Sequence, residues 1–176
     1  MPNFNERAAT IKLAVFDVDG VFTDGKLIYN GDGSESKAFS VQDGLGIKLL
    51  KKAGIQTAII TGRQSTAVKQ RADNIGIDFL YQGRDDKLIA LQELMQDLNI
   101  SQESVAYMGD DLPDLSAIQF AQVGASVING DPFVQQHADW VSQRQGGYGA
   151  VREFCEAILA AQNKLSDIQN EYLIAQ

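Results

Sequence analysis

Cysteine is nearly absent from this chain: Cys155 is the only one in 176 residues. A single thiol closes no internal disulfide and supplies no cysteine-based zinc site. Set among Phe154, Ile158 and Leu159, it reads as a core residue. Histidine is equally scarce, and the lone His137 reads as structural rather than catalytic. No apolar run approaches the length of a membrane span. The opening segment MPNFNERAAT is polar, carries Glu6 and shows no signal peptide. Positive charge is also short, with 15 lysines and arginines against 23 acids, a net charge of −8 and a pI near 4.5. That balance argues against nonspecific nucleic-acid binding and admits a small anionic substrate only through a local basic pocket. These absences point to a cytoplasmic protein with neither membrane nor nucleic acid as partner. Repeats, low-complexity tracts and interdomain linkers are missing too, so residues 1–176 read as one domain large enough for a sizeable core.

What is present is an alternation of apolar runs and helical patterns. LAVF (13–16), TAII (57–60), FLYQ (79–82), SVAYMGDD (104–111) and VGASV (123–127) read as buried strands, and DWVS (139–142) as an edge strand. Between them, helices are expected over 44–54, 64–75, 87–98, 113–121, 131–138 and near 150–165. NGDG (30–33), flanked by KLIYN and ESKAFS, predicts a hairpin over about 26–40. The fold class is therefore α/β: a mostly parallel sheet with helices on both faces, a protruding hairpin flap, and a glycine-rich loop and helix over about 146–176. Ligands bind such sheets beyond the carboxyl ends of the strands. The segments there are Asp17/Asp19, Thr61–Gly62–Arg63, Gly83 to Lys87, and Gly109–Asp110–Asp111.

FDVDGVFTDG (16–25) ends an apolar run with two aspartates. Charge near a core must be paired or bound to a cation, so these acids either cap a turn or share a positive group. Crowding Asp17, Asp19, Asp110 and Asp111 at one edge would raise their pKa values by mutual repulsion. A hard divalent cation resolves that, and Mg²⁺ takes one or two carboxylates while leaving room for phosphate oxygens. Lys87 and Thr61 add a charge and a hydroxyl suited to holding a phosphoryl group. A carboxylate beside Mg²⁺ can attack phosphorus, and one two residues on can protonate the leaving oxygen and then activate water.

The ordered motifs DVDGVFTD (17–24), TG (61–62), Lys87 and GDDLPD (109–114) resemble those of the haloacid dehalogenase superfamily of phosphotransferases, over nearly the whole chain. The resemblance implies a Rossmann-like core and Mg²⁺ as cofactor. It makes Asp17 nucleophile and metal ligand, and Asp19 acid/base and metal ligand through its carbonyl. It gives Thr61 and Gly62 to phosphate, Lys87 to both nucleophile and phosphate, and Asp110 to the metal. Asp111 and Asp114 either stand behind these ligands or join them.

Neither gap between the motifs, Asp24 to Thr61 or Thr61 to Lys87, holds a cap domain. Because such chemistry gains from excluding water, either a large substrate or a neighbouring subunit covers the site. AFSVQDGLGIKLL (38–50), AIITGR (58–63), LYQG (80–83) and GGYGAVREFC (146–155) are similar to capless, tetrameric members of the superfamily. Those enzymes dephosphorylate an eight-carbon sugar acid phosphate for lipopolysaccharide, with the flap hairpins of four subunits assembled together and substrate held partly by a neighbour. The likeness implies a homotetramer through the flap, with Ser40, Val41, Gln42, Asp43, Gly44, Lys48, Arg63 and Arg71 as substrate contacts besides Asp19 and Lys87. Arginine binds carboxylates in bidentate fashion, and Arg63 and Arg71, eight apart on one expected helix, would share a side. Two departures concern recognition alone: Lys48 stands where arginine is expected, and Tyr148 where a basic residue is expected.

Three rivals compete. A phosphoacceptor signalling domain would place its phosphorylated acid after the third strand, whereas YQGRDD follows it here, and the filled acid/base position favours rapid turnover. A regulatory or assembly domain would not need every motif intact. A nine-carbon acid phosphate or a polynucleotide phosphate end would keep the chemistry and change the substrate, though the acidic composition counts against the latter.

Overall fold

The apolar run before Asp17 forms the middle of the sheet. In chain order the elements are α1 (Phe4–Ala8), β1 (Leu13–Phe16), β2 (Ile28–Tyr29), β3 (Glu35–Ser36), α2 (Val41–Lys52), β4 (Gln56–Thr61), α3 (Thr66–Ile75) and β5 (Phe79–Gln82). Then follow α4 (Lys87–Leu98), β6 (Val105–Met108), α5 (Leu115–Phe120), β7 (Val123–Ser126), α6 (Pro132–His137), β8 (Trp140–Val141), α7 (Ala150–Ala161) and α8 (Leu165–Ile174). The structure is a computed structural model that describes residues 3–174. The expected domain and its carboxyl tail also take in residues 1, 2, 175 and 176, which lie outside the described residues.

Six strands pair in the order β5-β4-β1-β6-β7-β8, every pairing parallel. The chain runs from β1 outward through β4 to β5, then returns to place β6 on the other side of β1. Strand order thus reverses at β1, and crevices between carboxyl ends open at such a switch point. Alternation along β1 feeds two cores. Ala14 and Phe16 pack with helices α1, α2, α3, α7 and α8 on one face, while Leu13 and Val15 pack with α4, α5 and α6 on the other. Phe16 is wedged between Phe22 and Phe154, with ring centroids 5.5 and 6.3 Å away.

Three boundaries differ from the sequence reading. The helix expected from Gly44 begins at Val41, because Ser40 caps it and accepts a hydrogen bond from the Gln42 amide at 3.2 Å. Its glycines are packing residues: a Cβ on Gly46 would lie 2.9 Å from Arg152 Cα of α7. The single carboxyl-terminal helix is two, divided where Asn163 adopts a left-handed φ of 55°. At the other end, α1 was not anticipated, although Asn3 and Glu6 form a reciprocal capping box.

The hairpin is a small antiparallel ribbon of β2 and β3. Its turn closes with the Gly33 amide donating to the Asn30 carbonyl at 3.0 Å, and Gly33 has φ +84°. That left-handed residue ends a three-residue hairpin loop.

Candidate active site

Asp17, the residue after β1, donates its amide to Met108 O of β6 at 2.9 Å, which ties it to the strand on one side of the switch point. Lys87 opens α4 and lies almost fully buried against it. Its Nζ is 3.1 Å from Asp17 Oδ1 and 2.6 Å from Asp114 Oδ1. The Tyr107 hydroxyl, at the core side of β6, donates to the same Asp114 oxygen at 2.8 Å. Asp114 Oδ2 accepts from the amides of Asp110 and Asp111 at 3.2 and 3.4 Å. All of the Asp114 acceptor capacity is therefore committed within the protein.

Carboxylate oxygens of Asp17, Asp110 and Asp114 lie within 4.8 Å of one another. Burial above all, then the Asp114 charge, pushes the Asp17 carboxyl up to about 7 against the pull of Lys87. Burial followed by the Asp17 and Asp114 charges pushes Asp110 up to about 8. Burial also works against the Lys87 ammonium, but the two acids outweigh it and hold its pKa above the ordinary lysine value. The cluster carries more negative charge than one lysine offsets, and a hard divalent cation suits that donor set. Since both Asp114 oxygens are occupied, the oxygens open to a cation are those of Asp17 and Asp110. Gly20 (φ +93°) makes the close approach possible, because a Cβ there would sit 2.0 Å from Asp110 Oδ2.

A cleft of about 290 Å³ at this edge is lined by Asp17, Asp19, Thr61, Gly62, Arg63 and Lys87, with Asp110, Asp111 and Asp114 opposite. Asp19 stands apart from the acid trio, and its carboxylate is paired with Lys37 and, at 3.8 Å, with Arg63. Asp111 is exposed and caps the turn that follows, accepting from Leu112 N at 2.8 Å. Sequence reasoning did not single out Asp85, which also lines the cleft, nor Tyr107 and Lys37. For Tyr107 the only available signal was a phenol three residues before Asp110, on the strand that carries it.

The remaining sequence candidates lie elsewhere. Ser40, Val41 and Gln42 line an adjoining groove of about 550 Å³ with Asp24, Phe39 and Tyr148. Asp43 is fully buried and accepts from the amides of Gly149 and Arg152 at 3.3 and 2.9 Å, capping α7. This corrects its assignment as a substrate contact: both oxygens hold a helix end. Gly44 is buried beneath the Arg71 guanidinium, 2.4 Å from where its Cβ would be. Arg71 donates to the Ser40 carbonyl at 2.8 Å, and Lys48 is exposed on α2. Arg63 does not share a helix with Arg71, because Ser65 caps α3 and leaves Arg63 in the loop after β4.

A parallel sheet with acids, a threonine and a lysine meeting at its switch point is the arrangement of an aspartate-based phosphotransferase. The family model for haloacid dehalogenase-like hydrolases matches residues 79–154. The 3-deoxy-D-manno-octulosonate 8-phosphate phosphatase of Yersinia pestis is 48% identical over 91% of this chain and 86% of its own length. The enzyme of that name from Escherichia coli K12 is 42% identical over 94% of this chain and 88% of its own. A crystal structure of the Moraxella catarrhalis phosphatase, in complex with magnesium, phosphate and KDO, superposes with a TM-score of 0.94 at 49% identity, covering 96% of this chain and 97% of that one. The chain belongs to the haloacid dehalogenase-like hydrolases and, within them, to the family of the 3-deoxy-D-manno-octulosonate 8-phosphate phosphatases.

Proposed function

We propose that this protein is a Mg²⁺-dependent phosphomonoesterase that hydrolyses 3-deoxy-D-manno-octulosonate 8-phosphate to the free sugar acid and phosphate, a step in making lipopolysaccharide precursor. The observation that carries the reading is the meeting of Asp17, Asp110 and Lys87 at the switch point, beside Thr61 and Asp19.

The Asp17 carboxylate attacks phosphorus, and the bond from phosphorus to the sugar oxygen breaks. Asp19 delivers a proton to that oxygen, leaving an aspartyl-phosphate on Asp17. Asp19 then takes a proton from water, which attacks phosphorus and regenerates the Asp17 carboxylate. The Thr61 hydroxyl and Gly62 amide hold the phosphoryl oxygens. Lys87, braced by Asp114, orients Asp17 and offsets charge on the transferred group. Asp17, Asp110 and the Asp19 carbonyl would hold Mg²⁺, which supplies Lewis-acid stabilisation of the phosphoryl oxygens.

For recognition, the Arg63 guanidinium is half exposed at the cleft mouth, where it suits the sugar-acid carboxylate. Ser40, Val41 and Gln42 in the adjoining groove, with Lys48 and Arg71 behind them on α2 and α3, are assigned to the sugar end or to a neighbouring subunit's substrate. A homotetramer through the hairpin belongs to this reading. Leu27, Ile28 and Tyr29 expose 41, 50 and 67% of their surface on the hairpin, and three consecutive exposed apolar residues suit an interface. No described helix is long and apolar enough to cross a membrane. A cytoplasmic setting, where phosphorylated metabolites are retained, completes the reading.

The test is phosphate release from a panel of eight-carbon and nine-carbon ulosonic acid phosphates, hexose phosphates and a phosphorylated oligonucleotide, with Mg²⁺ and with chelator. Preference for the eight-carbon acid, lost on chelation, is the expected result. Equal rates on hexose phosphates would overturn the substrate assignment.

A further inference from the structure

The hairpin carries a lysine into the active site. Lys37 follows β3, and its side chain has no exposed surface. Its Nζ donates to Asp19 Oδ1 and lies 2.9 Å from Glu35 Oε1. Glu35 in turn pairs with Arg63 at 2.5 Å, and Arg63 Nε reaches Asp19 Oδ2 at 3.8 Å. Two acids and two bases thus form a neutral ring across the cleft mouth, with Asp19 and Arg63 from the sheet edge and Glu35 and Lys37 from the hairpin. A buried ammonium is costly unless paired, so the ring fixes where this stretch of hairpin can lie.

Among the described residues, Lys37 and Arg63 are the cations that pair with Asp19. Arg63 is the looser partner, half exposed and at the limit of ion-pair range. Without Lys37, the Asp19 carboxylate would be free to rotate about its side-chain torsions, away from the position its proton transfers require. Catalysis is sensitive to such displacements, since about 1 Å of misplacement can cost a hundredfold in rate.

We propose that Lys37 is a positioning residue for Asp19, so that the hairpin is part of the catalytic apparatus as well as an assembly surface. The inference rests on the phosphatase reading, in which Asp19 is the acid/base. A consequence is that whatever holds the hairpin, including the same element of a neighbouring subunit, also sets the acid/base.

Lys37→Met tests this, with Lys37→Arg as the conservative variant and Lys37→Gln as the substitute should the methionine protein fail to fold. Two substrates are compared: 3-deoxy-D-manno-octulosonate 8-phosphate, and an aryl phosphate whose leaving group departs without a proton. On the sugar phosphate, Lys37→Met should lower kcat by about tenfold to a hundredfold. KM and the Mg²⁺ concentration for half-activity should stay within about threefold, and Lys37→Arg should recover part of the loss. In single turnover, the phosphoryl-transfer step on the aryl phosphate should be much less impaired. In an Asp19→Asn background, Lys37→Met should cost nothing further, because the two residues act as one unit. A rise in KM alone, additive losses with Asp19→Asn, or equal impairment of transfer from both substrates would overturn the assignment. Wild-type silence on both substrates would remove the phosphatase reading and this inference with it. An active wild type beside an undiminished Lys37→Met would remove the inference alone.

Discussion

The Lys87 ammonium lies closer to Asp114 than to Asp17, at 2.6 against 3.1 Å. The lysine is thus anchored from behind by one acid and only then presented to the other, Asp17. Asp114→Asn removes the anchoring charge and turns an amide toward groups that all donate. Breaking a buried ion pair costs about 3 to 5 kcal/mol. Tyr107→Phe removes one hydrogen bond to the same carboxylate, worth about 1.5 to 3 kcal/mol because the acceptor is charged. Thermal melts should therefore rank wild type above Tyr107→Phe above Asp114→Asn. A reversed order would mean that Asp114 is not the hub of the network.

Asp17→Asn should abolish turnover without harming the fold. Burial and like charge raise the Asp17 carboxyl to about 7, so its ionised form is a burden on the metal-free protein near neutrality. The neutral asparagine relieves that burden, and in chelator the variant should melt at or above the wild-type temperature, by about 2 to 4 °C for each kcal/mol relieved. Retained phosphate release would strip Asp17 of its role. A clear drop in melting temperature would show that its charge is held by the fold instead.

Metal binding should depend on pH, with a determined sign. The folded-state values of Asp17 and Asp110, about 7 and about 8, stand above the ordinary 3.8. The stability linked to their protonated forms is present below about pH 4 and is lost as pH rises through 7 and 8. Metal-free protein should melt at lower temperature at pH 8.5 than at pH 5.5. Mg²⁺ binds the ionised forms, so the stabilisation it confers should grow over the same interval. Near pH 6, titration calorimetry in buffers of different ionisation enthalpy should detect protons released on binding. A Mg²⁺ effect independent of pH between 5.5 and 8.5 would contradict this picture.

Much of this site was legible because it follows from strand ends. LAVF, TAII and VAYM are continuous apolar runs, the mark of strands buried on both faces, and the polar residues after them converge whatever the details of the helices. What escaped depends on long-range packing. Asp43 looks like a polar residue at a helix start, yet it is buried because α7 docks on α2 and offers its first amides. Lys37 looks like a solvated charge on a hairpin arm, and only the fold of the hairpin back over β1 brings it to Asp19. Arg63 falls outside α3 because Ser65, the better cap, lies two residues beyond it. The capping box of α1 was present in the sequence, but five residues carry too little periodicity to announce a helix.

The hairpin offers the last prediction. Its paired strands are two residues each, too little to hold apolar side chains in water without a reason. Leu27, Ile28 and Tyr29 nevertheless stand exposed there. Replacing Ile28 by aspartate would put like charges at the centre of any symmetric assembly built on this ribbon, where burying them is prohibitive. Light scattering should then report a smaller species than it does for the wild type, while far-ultraviolet circular dichroism stays unchanged. Ile28 lies on β2 opposite Ser36, which is no member of the ring, so the ionic ring with Asp19 can persist in the separated subunit. If that subunit keeps its turnover, the ring alone sets the acid/base, and assembly serves only to cover the cleft. If turnover falls with the mass, the neighbour is what holds the hairpin in place. An unchanged mass would leave the exposed apolar residues without a partner of their own kind and would remove the hairpin as the assembly surface.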